Sequence, residues 1–326
     1  MIEFKNVTKI YEDGTEAIKG INLTIPKGKL VALIGPSGCG KTTTMKMINK
    51  LISPSGGTIL INGKDTSETD EVELRRNIGY VIQRIGLLPH MTIEENISLI
   101  PRLKGWKKEK YEGRVDELLN LVGLEPDIYR KRYPLELSGG QQQRVGVIRA
   151  LAAEPPIILM DEPFSALDPI SREQLQDELK SIQNTIHKTI VFVTHDIDEA
   201  LKIADEIAVM RDGRIEQFAS PDELLTEPAN EFVRAFIGED RLKSHPGQKQ
   251  VVDILSDDRD AHMQLEESEY SLISYDATIQ EAARMLLATG KPYLMVTRSD
   301  KTIGIITSSD ILRAVALSDK KEAGSV

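Results

Sequence analysis

Apolar residues alternate with polar ones in Ile2-Glu-Phe-Lys-Asn-Val7, and Gly14 and Gly20 punctuate the next stretch, so residues 1–34 read as an antiparallel ribbon. An apolar run, Lys29-Leu-Val-Ala-Leu-Ile34, closes that ribbon, and residues 43–51 read as a helix. Gly56–Gly63 predicts a short strand ending in an Asn-Gly turn, and Asn77–Ile82 a second strand that Gln83 ends. Residues 92–133 look helical and amphipathic, with Glu94, Glu95 and a basic cluster from Lys104 to Lys110 on the polar side. A further helix is expected from about Gly139 to Ala153, stopped by Pro155 and Pro156. Ile157-Ile-Leu-Met160 is apolar enough for a buried parallel strand, and so is the core of Thr189–Thr194. Asp205–Glu216 reads as a hairpin with an Asp-Gly turn, after which Ser220 caps a short helix and another helix ends near Gly238.

Residues 239–250 are polar and read as a linker. A compact β-α-β-β-α pattern occupies 251–318, before a tail at 319–326. Its expected elements are a strand at Ser271–Tyr275, a helix at Thr278–Thr289 closed by Gly290, and a hairpin of Tyr293–Thr297 with Thr302–Thr307. Ser309 is expected to cap the last helix, which would run to about Leu317.

Length and composition narrow the function. The 326 residues allow about two domains, and 40% apolar with 28% charged residues describes a chain that folds. A formal net charge of −10 argues against a nucleic-acid partner. The one cysteine, Cys39, excludes an intrachain disulfide and fits a reducing compartment. The start lacks a basic region followed by an apolar segment, so no signal peptide is expected. No window approaches the roughly twenty apolar residues of a membrane span.

Chemistry concentrates at the ends of the apolar strands. Gly35-Pro-Ser37-Gly38-Cys39-Gly40-Lys41-Thr42, then Thr43, stands between a strand and a helix, the order a phosphate-binding loop requires. Its glycines let backbone N–H groups cradle phosphate oxygens, and the helix aims its positive end at the same place. Lys41 would reach the β- and γ-phosphates of a nucleoside triphosphate, and Thr42 would ligate Mg²⁺. Background composition gives this pattern in only about one chain in a hundred. Ser138-Gly139-Gly140-Gln141 opens a second helix with bare N–H groups, a second anion site unless Ser138 does nothing but cap. Asp161 fits the Mg²⁺ shell and Glu162 a general base for water. His195, at the end of a parallel strand, either bonds the γ-phosphate or is structural. Tyr11 either stacks on an adenine or packs on the sheet. Gln83 is either a polar edge residue or part of the Mg²⁺ and water shell. Lys107, Lys108 and Lys110 read best as a solvated helix end, and Trp106 as a packing residue.

Residues 1–238 resemble the ATP-binding subunit of an ABC transporter. The matching features are Tyr11, the Walker A loop (35–42), the Q-loop Gln83, the signature Leu137-Ser-Gly-Gly-Gln141, Walker B with Asp161 and Glu162, the D-loop Ser165-Ala-Leu-Asp168 and the switch His195. The resemblance implies an α/β fold: a RecA-like mixed sheet core, an antiparallel β subdomain and a helical subdomain at about 84–145. It implies two subunits that sandwich two ATP molecules, each Walker A facing the other subunit's signature helix. It also implies membrane permease subunits docked near the Q-loop, an extracytoplasmic solute-binding protein reached through the complex, and a place on the cytoplasmic face of the membrane.

Gln83–Ile97 is similar to importers of quaternary-amine osmoprotectants such as glycine betaine, carnitine and choline, with Arg84 where a glutamine is expected. Gly304-Ile-Ile-Thr307-Ser-Ser-Asp310 resembles the end of a CBS motif, which those importers carry at this end. That makes Thr307 and Asp310 candidate contacts for a cyclic dinucleotide or another adenine nucleotide, or else the unit only dimerises. A single copy is expected to pair with its equivalent in the second subunit. A non-transport ABC protein would need two cassettes or a long coiled-coil insertion, and neither is present. A switch built on the CBS-like end alone leaves the hydrolytic constellation unexplained. Cys39, beside Lys41 and a helix start, is expected to favour its thiolate and to react with alkylating agents unless ATP shields it.

Overall fold

The computed structural model describes residues 1–82, 86–165, 167–244, 250–255, 269–298 and 301–313. The chain divides into two compact units, Met1–Pro221 and Asp222–Val326.

The first unit begins with β1 (Ile2–Ile10) and β2 (Glu16–Ile25), paired antiparallel. Ile2, Phe4 and Val7 are buried, as alternation requires, and the register slips between Phe4 and Val7, where Asn6 takes a φ of 47°. β4 (Gly56–Ile61) and β5 (Lys64–Asp65) complete this sheet in the order β2-β1-β4-β5. Asn62 and Gly63, both at positive φ, make the predicted Asn-Gly turn between them. The apolar run at the end of the expected ribbon goes elsewhere. β3 (Leu30–Ile34), buried at every position, leaves this sheet and enters the second one.

The second sheet contains β3, β6 (Ile78–Val81), β7 (Ile157–Asp161), β8 (Thr189–Val193), β9 (Glu206–Arg211) and β10 (Arg214–Ala219). Its order is β10-β9-β3-β8-β7-β6, parallel throughout except for the β9–β10 hairpin, whose turn is Asp212-Gly213 at φ 46° and 78°. Parallel strands need crossovers. These are α1 (Lys41–Ile48), the segment with α2 (Glu71–Arg76), a helical insert, α7 (Pro169–Ile186) and α8 (Ile197–Ile203). The insert contains α3 (Ile93–Leu103), α4 (Lys108–Leu121), α5 (Pro126–Tyr129) and α6 (Gly139–Leu151). A Thr92–Glu95 capping box starts α3, and Ser138–Gln141 does the same for α6. Within the basic cluster the Lys110 ammonium lies 3.7 Å from the centroid of the Trp106 ring, so both residues pack on each other locally.

The second unit holds α9 (Pro221–Thr226) from Asp222 onward, α10 (Glu231–Ile237) and α11 (Glu239–Ser244). The stretch expected as a linker therefore opens with a helical turn. β11 (Tyr270–Ser274), α12 (Ile279–Thr289), β12 (Tyr293–Arg298) and β13 (Lys301–Thr307) come next, with β12 central, parallel to β11 and antiparallel to β13. Val251, Ile273, Ile279, Leu294, Val296 and Ile306 form their core. The helix at 308–313 is capped by Thr307 and not by Ser309: Thr307 and Asp310 form a reciprocal box, Asp310 N–H donating to Thr307 Oγ1 at 3.2 Å and Thr307 N–H to Asp310 Oδ2 at 2.9 Å.

Candidate nucleotide site

Four neighbouring parallel strands end at one edge of the second sheet, the edge where open α/β sheets bind ligands. β3 delivers the Gly35 loop, β8 delivers Thr194 and His195, and β7 delivers Asp161 and Glu162. β6 ends two residues before Gln83, which lies outside the described residues.

Two of the loop's glycines, Gly35 and Gly40, leave no room for a side chain. A Cβ on Gly35 (φ +145°) would stand 2.1 Å from the carbonyl oxygen of Met210, and one on Gly40 (φ +106°) 2.5 Å from Ile18 Cδ1. Gly40 caps α1 without any side-chain hydrogen bond, so the cap itself claims none of the first-turn amides. The Lys41 ammonium is folded over the loop, donating to the carbonyls of Gly35 at 2.7 Å and Pro36 at 3.0 Å. Tyr11 is 38% exposed, its hydroxyl 3.1 Å from Thr43 Oγ1, which leaves the ring at the surface beside the loop and not in the core. Ser37 and Gly38 are exposed on the loop.

Cys39 departs from expectation. It is 4% exposed and belongs to the core cluster, and burial pushes its thiol up despite the nearby Lys41. Desolvation of the thiolate outweighs both the ammonium and the helix start.

The Thr42 hydroxyl donates to Asp161 Oδ1 at 3.1 Å, and burial pushes the Asp161 carboxyl above its ordinary range. On the neighbouring strand Tyr80 is pushed up to about 12, by burial and then by Asp161. Glu162 takes a φ of 46°, with its N–H donating to Val193 O on β8 at 3.0 Å. That left-handed turn directs the chain from the strand into the next loop, and His195 Nδ1 lies 3.7 Å from Glu162 Oε1. Asp168 caps α7, accepting from Ser171 N–H at 3.1 Å, and this hydrogen bonding lowers its carboxyl.

Ser138 accepts from Gln141 N–H at 3.3 Å, and Gln141 Oε1 accepts from Ser138 N–H at 3.0 Å. Neither residue hydrogen-bonds the phosphate loop among the described residues, so the two helix starts are separate features of the one chain. The absent Cβ of Gly140 would lie 3.3 Å from Ser171 Oγ, so the start of α6 adjoins the turn that Asp168 caps.

Three supporting residues carry no motif signal. Gln143, 2% exposed, donates from Nε2 to Pro163 O at 2.7 Å and ties α6 to the turn after Glu162. Glu199, 6% exposed and pushed up by burial, accepts the Thr194 hydroxyl directly before His195. Arg172 on α7 donates to Leu167 O at 3.3 Å and faces Glu199 at 3.6 Å and Asp196 at 3.8 Å. It thereby links the Asp168 turn to the His195 turn. Only the helical spacing of these residues was visible in the sequence, and spacing does not distinguish them from other polar helix positions.

The ABC transporter family model matches residues 18–165, and the CBS domain model matches residues 268–317. The chain is 59% identical over 257 residues to the glycine betaine/carnitine/choline transport ATP-binding protein OpuCA of Bacillus subtilis (strain 168), covering 78% of this chain and 67% of OpuCA. It is 51% identical over 305 residues to the choline transport ATP-binding protein OpuBA of the same organism, covering 93% of this chain and 77% of OpuBA. This chain is an ATP-binding subunit of the ABC transporter family. The cassette also resembles a dimeric post-hydrolysis structure of the ATP-binding cassette MJ0796 bound to ADP and Pi, with a TM-score of 0.61 and 38% identity over 68% of this chain and 99% of that one. The fold is thus an ABC ATPase cassette followed by a CBS domain, and the cassette binds ATP. Among its described residues, no helix is long and apolar enough to cross a membrane.

Proposed function

We propose that the chain is the ATP-hydrolysing subunit of an importer of a quaternary-amine compatible solute, of the glycine betaine, carnitine or choline type. The observation that carries this reading is the convergence of Lys41, Thr42, Asp161, Glu162 and His195 at one sheet edge, in a chain whose relatives are named for those solutes. The subunit works as a homodimer at the cytoplasmic face of the membrane, held there by permease subunits that receive solute from an extracytoplasmic binding protein. Exposed Leu272, Leu287 and Leu312 support pairing of the CBS units of two copies, and a cyclic dinucleotide or ionic strength is the proposed signal there. A groove between β6, α3 and α6, lined by Ile78, Tyr80, Leu99 and Ile100 with Arg75 and Arg149, supports a permease segment docking there.

In this reading Gly35–Thr43 wraps the phosphates, and Lys41 turns its ammonium from the loop carbonyls to the β- and γ-phosphates. Tyr11 offers its exposed ring to the adenine. Glu162 holds the attacking water and draws its proton, while His195 and Gln83 bond the γ-phosphate and the water. The partner's Ser138–Gln141 helix start and Asp168 turn close the site over the γ-phosphoryl group.

The donor set fits Mg²⁺. Asp161 is a buried carboxylate that no cation among the described residues pairs closely, beside the Thr42 hydroxyl, and hard oxygen donors in small number are what Mg²⁺ takes beside substrate phosphates. Bound there, the ion neutralises charge on the phosphates.

The test is solute uptake with ATP hydrolysis, measured in proteoliposomes containing the full chain and its membrane subunits. ATP-dependent accumulation of glycine betaine, carnitine or choline is the expected result; hydrolysis without accumulation of any of them would remove the solute class and leave the ATPase.

A further inference from the structure

The hydroxyl of Tyr129, on α5, accepts a hydrogen bond from Gln141 Nε2 at 3.0 Å. Gln141 is at the third position of α6, and its amide has two tasks. Ser138 N–H has no lone pair to offer, so it must face the amide oxygen, and the contact is 3.0 Å. That turns the amide nitrogen toward Tyr129, whose hydroxyl holds the other end of the amide in place. The consequence reaches Ser138. Its oxygen accepts from Gln141 N–H at 3.3 Å, which leaves the hydroxyl proton and the N–H groups of Gly139 and Gly140 outside the box.

Tyr129 is itself held. The Arg132 guanidinium lies 4.9 Å from the centroid of its ring. The adjoining Arg130 forks onto Glu94 of α3 at 2.9 Å and 3.3 Å and reaches Asp116 of α4 at 3.2 Å. The backbone joins in, Glu94 N–H donating to Arg130 O at 3.0 Å and Ile93 N–H to Arg132 O at 2.8 Å. The segment before α6 is therefore clamped across the start of α3, and α3 supplies Leu99 and Ile100 to the groove beside β6.

We propose that Tyr129 is a positioning residue for ATP hydrolysis: its hydroxyl fixes the Gln141 amide and, through it, the Ser138–Gly140 donors that one subunit presents to nucleotide held by the other. The inference rests on the homodimeric ATPase function proposed for the chain. It concerns turnover and not the binding of ATP to the phosphate loop, because among the described residues no hydrogen bond or ring contact joins the Tyr129 side chain to Gly35–Thr43.

Tyr129→Phe keeps the ring and removes only the acceptor. The experiment measures kcat and KM for MgATP in the full chain with its membrane subunits, together with equilibrium binding of a fluorescent ATP analogue and the Tm. A lost hydrogen bond of ordinary strength gives a fall in kcat of about tenfold, with analogue binding unchanged and the Tm lower by no more than about 2–4 °C, which is what one such bond contributes. Gln141→Ala should lower kcat in the same way, and the double variant should be no slower than Gln141→Ala alone, because both remove one linkage. Wild-type turnover in Tyr129→Phe overturns the proposal, as do losses that multiply in the double variant. A parallel fall in Tm and analogue binding also overturns it, since that is a merely structural role. A wild-type complex that hydrolyses no ATP would count against the functional reading itself; an active wild type with an equally active Tyr129→Phe counts against this inference alone.

Discussion

Thr42 Oγ1 and Asp161 Oδ1 are 3.1 Å apart, joining the first turn of α1 to the end of β7 across 119 residues of sequence. The hydroxyl is the donor, so it compensates part of the charge that burial makes costly for the carboxylate. The compensation is incomplete, because the Asp161 carboxyl remains pushed up by desolvation.

A carboxyl with a raised pKa in the folded chain binds its proton more tightly folded than unfolded. Ligand-free stability is therefore full below the unfolded pKa and is lost as pH rises from there through the folded pKa. Asp161→Asn removes the penalty and keeps an acceptor for Thr42. The expected outcome is a higher Tm at neutral pH in the absence of nucleotide, with Mg²⁺ affinity in the presence of ATP weakened at least about tenfold. Calorimetry of the variant and of its Mg²⁺ binding checks both. The Mg²⁺ affinity of the wild type should fall as pH drops through the raised range of Asp161.

Glu162→Gln preserves the size of the side chain and the backbone turn at φ 46° but cannot take a proton from water. ATP binding should persist while turnover falls by about a hundredfold or more. His195→Ala should slow turnover too, since His195 Nδ1 lies 3.7 Å from Glu162 Oε1. Combining the two should cost less than the product of the single losses. Near-normal hydrolysis by Glu162→Gln, in a phosphate-release assay, would defeat the assignment of the base.

The fold was legible where one local signal sufficed. Asn62-Gly63 announced a turn and Asp212-Gly213 a hairpin because such pairs take positive φ with little strain. The strand ends carrying Asp161 and His195 were legible because an unbroken apolar run implies burial on both faces. The destination of β3 was not: Leu30–Ile34 comes after an antiparallel ribbon in sequence but pairs with β8 and β9, which only sheet topology reveals. Gln143, Glu199 and Arg172 were invisible for a related reason. Their partners Pro163, Thr194 and Leu167 are brought to them by strand order and not by spacing on their own helices.

Cys39 shows a local rule losing to packing. Beside an ammonium and a helix start a thiol should ionise readily, yet only 4% of this one is exposed and its pKa is raised. Alkylation by iodoacetamide at neutral pH should be slow with or without ATP, and should become rapid only in denaturant. Rapid labelling of the folded chain that ATP suppresses, followed by mass spectrometry, would restore the reactive-thiolate expectation.

Thr307 and Asp310 are engaged with each other in a helix cap. Thr307 N–H and Oγ1 both contact Asp310 Oδ2, at 2.9 Å and 2.7 Å, and Asp310 N–H returns to Thr307 Oγ1. Asp310→Ala should therefore destabilise the second unit by about 1 kcal/mol, seen as a lower Tm in the absence of any nucleotide. The same variant bears on the nucleotide reading. A ligand that the Asp310 carboxylate holds would raise the Tm of the wild type and not of Asp310→Ala. A carboxylate used only as a cap leaves the ligand-induced shift equal in both, because the cap contributes alike with and without ligand. Since both Asp310 contacts are already made to Thr307, the equal shift is the expected outcome; scanning both proteins with and without a cyclic dinucleotide decides it.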